Sequence, residues 1–230
     1  MSGGKEEKPH YHGHRQRLRE RFLNSGSSAL ADYELLEMML FSARPRGDVK
    51  PLAKKLLAEF GSFAKVITAS AGQLQKVEGM GEAAAASILL AHAATERLLR
   101  EEIIGKPLIK GWTALLDYAK ATMAHEKIEQ FRILFLNSRN ELLRDEVQQR
   151  GTVDHTPVYI REVVKRALEL GATSIILMHN HPSGDPKPST ADIDITKQVI
   201  SAAKAVGIKV HDHLIIAEAG HYSFRANGII

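Results

Sequence analysis

Two histidines, His179 and His181, and a Ser189-x-x-Asp192 pair seven residues after the second are the side chains whose types and spacing could do chemistry. Imidazole nitrogens and a carboxylate are metal ligands. Ahead of them, Ala172 to Met178 is mostly apolar and β-branched, which predicts a buried strand. Strand side chains alternate faces, so His179 and His181 at its end point the same way. Prolines and Gly184 then turn the chain, and Ser189 opens an amphipathic helix running to about Ala205. Asp192 lies one turn into it, on the face of Ser189. A turn that folds back over the strand end brings two nitrogens and one carboxylate together, and zinc sites that do chemistry use three such ligands plus a position for water. Ser189-x-x-Asp192 is also close to a helix capping box, which accounts for both residues without chemistry. The two readings are compatible, because a capping serine can present its hydroxyl to a site.

Composition narrows the rest. The 230 residues are 44% hydrophobic, enough for one large core or two small ones, and the pattern favours two domains. With no cysteine, thiol catalysis, disulfides and Cys-ligated zinc are excluded. No basic-then-apolar leader opens the chain and no apolar run approaches the ~18 residues of a membrane span, so the expectation is a cytoplasmic protein without membrane contact. Lys and Arg total 31 against 27 acidic residues, a net +4 that permits nucleic-acid contact without demanding it.

In chain order, residues 1–14 are expected to be a mobile tail, and the histidines His10, His12 and His14 in it carry no assigned function. A small all-helical domain is expected over 15–103. Arg15, Arg17, Arg19 and Arg21 predict a solvated first helix. Helices follow at Tyr33–Phe41 and Val49–Phe60, separated by a turn of breakers and charge. Residues of about 70–100 resemble a helix-hairpin-helix unit around Gly79 and Gly81, whose backbone N–H groups would approach a DNA phosphate. Glu78 and Glu82 flank that hairpin, and an ordinary tight turn is the competing reading.

Residues 101–109 read as a linker, and a second domain over 104–230 begins with a helix from Thr113 to Glu129. Strands at Phe131–Asn137 and Glu141–Gln148, an extended or loop segment at 151–154, a helix at Val158–Leu170, the strand and helix of the metal turn, and strands at Ile208–Ala217 and Tyr222–Phe224 follow. Strands alternating with helices imply a three-layer α/β domain.

His-x-His, seven residues, Ser-x-x-Asp resembles the JAMM (MPN+) metallohydrolase motif, and His179-Asn-His-Pro-Ser-Gly-Asp-Pro-x-Pro-Ser-x-x-Asp192 resembles its RadC branch. Asn180 stands where many eukaryotic JAMM proteins have Ser or Thr, in agreement with RadC. The resemblance implies a three-layer α/β/α JAMM/MPN fold of cytidine-deaminase-like type, with one zinc per chain on His179, His181 and Asp192. It implies amide or isopeptide hydrolysis of an unidentified protein or peptide.

A carboxylate must also take a proton from the attacking water. The residues alone leave Glu126, Glu129, Glu141, Asp145 and Glu146 open. The resemblance selects Glu129, at the join of the first helix and first strand, with Glu126 as fallback, and gives Ser189 the oxyanion. His211-Asp212-His213 tempts as a second metal cluster but sits mid-strand, and reads as structural or supporting. Asp185 and Lys187 are turn residues that could line the site. Two other functions stay open: a DNA-repair-associated protein that contacts DNA independently of sequence through its helical domain, and a non-catalytic module stabilised by zinc.

Overall fold

A computed structural model describes residues 13–151 and 159–230. The expected tail up to His12, the segment 152–154 and the helix start at Val158 lie outside the described residues. The chain divides into two compact units between Ala94 and Thr95.

The first unit is helical: α1 His14–Ser25, α2 Asp32–Ala43, α3 Lys50–Phe60, α4 Phe63–Ile67, α5 Ala71–Lys76 and the start of α6 Glu82–Ile103. Gly61, at φ 87°, stops α3 in the left-handed region that a side chain disfavours. Ser62 then caps α4, and a Ser70–Gln73 capping box starts α5. One apolar cluster including Leu18, Leu36, Leu40, Leu56, Val66, Leu74 and Ile88 holds these helices. The arginines of α1 are not merely solvated. Arg15 donates to the carbonyls of Arg44 at 2.7 Å, Gly47 at 2.9 Å and Pro45 at 3.0 Å, and so fixes the turn between α2 and α3.

In the second unit, α7 Trp112–Met123 precedes a mixed sheet of β1 Glu129–Leu136, β2 Leu142–Gly151, β3 Ser174–Asn180, β4 Lys209–Ala217 and β5 Gly220–Ser223. Helix α8 Ile160–Glu169 joins β2 to β3, and α9 Thr190–Ala205 joins β3 to β4. The sheet order is β2-β1-β3-β4-β5, with β3 and β4 parallel and the other neighbours antiparallel. Leu115, Ala119 and Met123 of α7 pack on Leu134, Ile176, Met178 and Leu214 from one sheet face. On the other, Val163 and Ala167 of α8 and Val199 and Ala203 of α9 pack on Ile133, Ile175 and Leu177. This is the three-layer arrangement expected.

Two local expectations change, and one strand carries an irregularity. The stretch 101–109 is no free linker: Ile103 still belongs to α6 and is buried, Pro107 bridges Glu141, and Leu108 N–H donates to Asn140 O at 2.9 Å. Helix α7 ends at Met123 instead of Glu129, and the Asn180 side chain bonds the carbonyls of Glu126 and Ile128 and the amide of Gln130 in the stretch that leads into β1. Finally, β4 carries an irregularity: Ile175 pairs with Val210 but Ile176 pairs with Asp212, so His211 is an extra residue. Val210 joins the α8/α9 core while His213, paired with Leu177, returns to that same face.

Candidate metal centre

The centre forms where β3 ends. His179 and Asn180 close a fully buried strand, and pleating sends His179 toward the α8/α9 layer and Asn180 toward α7. The chain turns through Pro182 to Pro188, and Ser189 caps α9 with the reciprocal bonds of a capping box: Asp192 N–H to Ser189 Oγ at 3.1 Å, Ser189 N–H to Asp192 Oδ2 at 2.7 Å. The cap places Asp192 beside the histidines. His179 Nε2 lies 3.2 Å from Asp192 Oδ1, His181 Nε2 lies 3.4 Å from Oδ2, and the two Nε2 atoms are 2.9 Å apart. Among the described residues this is the group of His, Asp and Glu side chains whose ligand atoms converge, all within 4.8 Å.

The donor set fits a cation. His181 Nδ1 lies 2.9 Å from the Asp185 carbonyl, which can only accept, so Nδ1 carries a proton and Nε2 is the nitrogen turned to Asp192. His179 uses its Nδ1 on His213 Nε2 at 2.8 Å and likewise turns Nε2 inward. Burial pushes the Asp192 carboxyl up, but hydrogen bonds from His179 and His181 outweigh it and hold the group far below the usual carboxylate range. The Asp192 contact raises His181 against its own burial. A divalent ion would take the place of the protons between these groups, held by one carboxylate and two imidazole nitrogens.

Glu129, the first residue of β1, lies two positions before Phe131, which pairs with His179 and stacks on its ring with centroids 6.2 Å apart. Burial raises the Glu129 carboxyl, which also feels the charges of His179, His181 and Asp192. Of the other carboxylates considered, Asp145 pairs with Arg132 at 2.9 Å, Glu146 binds Arg166, and Glu141 binds Asn137 and Arg139. Glu126 lends its backbone carbonyl to Asn180 and its side chain is exposed. Ser189 is exposed, and its hydroxyl proton lies on Asp192 Oδ2 at 2.7 Å.

The His211-Asp212-His213 run does not form a second cluster. His211 Nε2 contacts Asn140 Oδ1 at 2.6 Å, and buried Asp212 accepts from Ser223 Oγ and from the amides of His213 and Arg225. His213 alone reaches the centre, and burial drives its pKa well below the ordinary histidine value. Asp185 contributes its carbonyl, while its carboxylate caps the Lys187 amide at 3.0 Å.

Thr196 escaped the sequence reading. Its signal is its place one helical turn after Asp192. Asn180 drew notice only as a motif letter, although a residue between two inward histidines must face the other way.

In the first unit, Gly79 has φ 95° and its carbonyl accepts from Arg44, while Lys55 pairs with Glu78 at 2.8 Å. Gly81 follows as the residue before α6, its carbonyl accepting from the Ala85 amide.

A family model described as a RadC-like JAB domain matches residues 109–229, and one described as UPF0758 N-terminal matches residues 12–86.

Proposed function

Because this chain belongs to the RadC-like JAB domain family, we propose that it is a zinc-dependent hydrolase of peptidase or isopeptidase type. The observation that carries the reading is the convergence of His179, His181 and Asp192, with both outer imidazole nitrogens already engaged. The three residues would hold one zinc ion, which supplies Lewis-acid polarisation and acidifies the attacking water.

The remaining work falls to side chains of the chain. Glu129, raised by burial, takes the proton of the attacking water on its carboxylate and delivers it to the leaving nitrogen. Ser189 donates its hydroxyl to the developing oxyanion, which requires the proton to swing off Asp192 Oδ2. Phe131, against His179, excludes water from one side. The substrate class is a protein or peptide carrying an amide bond, acted on in the cytoplasm. The test is hydrolysis of a panel of peptide and isopeptide substrates by zinc-loaded protein, with Glu129→Gln as control; cleavage that persists in the variant would remove Glu129 from the mechanism.

Sequence-independent DNA contact through a helix-hairpin-helix-like unit is the weaker reading. Glu78, paired with Lys55, adds negative charge at the hairpin, which is unfavourable to a phosphate.

A further inference from the structure

We infer that Thr196 and His213 form a hydrogen-bonded loop with His179 and Asp192 that fixes the tautomer of His179 and aims its Nε2 lone pair at the metal position. The inference rests on reading His179, His181 and Asp192 as metal ligands.

The direction of every bond follows from one end. The Asp192 backbone oxygen can only accept, so the Thr196 hydroxyl donates to it at 2.5 Å. A hydroxyl has one proton, so toward His213 Nδ1, also 2.5 Å away, the Thr196 oxygen accepts and Nδ1 carries the hydrogen. The His213 ring is fully buried, stacked on Phe224 and edge-on to Phe131, surroundings in which an imidazolium is costly. A neutral ring protonated at Nδ1 offers a lone pair at Nε2. His179 must therefore carry a proton on Nδ1, 2.8 Å from that lone pair, so that its Nε2, which faces Asp192 Oδ1 at 3.2 Å, is the nitrogen that would bind the metal.

The loop also closes on the ligands. It begins at the backbone of Asp192 and ends at the ring of His179, so two ligands from different elements, α9 and β3, are held by one chain of bonds. The extra residue in β4 puts His213 on the correct face to complete it. Thr196 and His213 are positioning residues, touching neither metal nor substrate.

The test needs no substrate. Long-range imidazole ¹⁵N NMR on the zinc-loaded full chain reads the His213 tautomer, and chelator competition reads zinc affinity, in wild type, Thr196→Val and Thr196→Ser. Valine keeps the shape and loses the hydroxyl; serine restores it. Expected are a proton on Nδ1 of His213 in wild type and Thr196→Ser, mixed tautomers in Thr196→Val, and zinc binding weakened about 10- to 100-fold in Thr196→Val alone. A wild-type His213 protonated at Nε2 overturns the inference without any variant having to fold, and so does undiminished zinc affinity in Thr196→Val. Wild-type protein that takes up no zinc instead sinks the metal reading beneath it.

Discussion

The Asn180 carboxamide oxygen accepts the Gln130 backbone N–H at 2.8 Å, and its amide nitrogen reaches the carbonyls of Ile128 at 3.2 Å and Glu126 at 3.3 Å. One buried side chain between the two histidines proposed as metal ligands thereby holds the backbone on both sides of Glu129. The strand that offers the ligands also places the proposed base.

Asn180→Ala removes all three bonds and leaves a buried amide and carbonyls without partners, at a cost of about 1–3 kcal/mol. Chemical denaturation should show that loss. Zinc should still bind, since no ligand is touched, while hydrolysis falls with the misplacement of Glu129.

Glu129→Gln keeps the size of the side chain and removes its basicity. Metal content should be unchanged and the hydrolytic rate lower by roughly 10²- to 10⁴-fold, the usual contribution of a positioned base. Equal loss in Glu126→Gln would move the role to the neighbouring acid.

Glu146 provides a pH signature away from the metal. Its hydrogen bonds with Arg166 hold its carboxyl below the ordinary value of 4.5. A lowered folded pKa contributes stability that is present above the unfolded value and lost as pH falls through the folded one. Wild type should therefore have the higher urea midpoint relative to Glu146→Gln at neutral pH, with the gap closing below about pH 4.5. A gap that widens on acidification would contradict the assignment.

If the hairpin does bind DNA, fluorescence anisotropy should show sequence-independent affinity that falls steeply with salt. Absence of binding at low salt would leave the first unit to a different role.

Much of this was legible in the sequence. The period-two histidines, the turn of prolines and the Ser189 cap pointed to the convergence of His179, His181 and Asp192, because strand alternation and capping are local rules that tertiary contacts do not override here. What could not be read was non-local. The stretch between α7 and β1 is held by a side chain fifty residues and more away, and the role proposed for His213 depends on an extra residue in β4 that no periodicity announces. Arg15 looked solvent-facing by spacing because its carbonyl partners lie in another turn.

The most direct test is elemental analysis of dialysed, tag-free protein grown with zinc, comparing wild type with His179→Ala and Asp192→Ala. One zinc per chain is expected in wild type and none in either variant. Wild type that retains no metal would contradict it, leaving Ser189 and Asp192 as a helix cap.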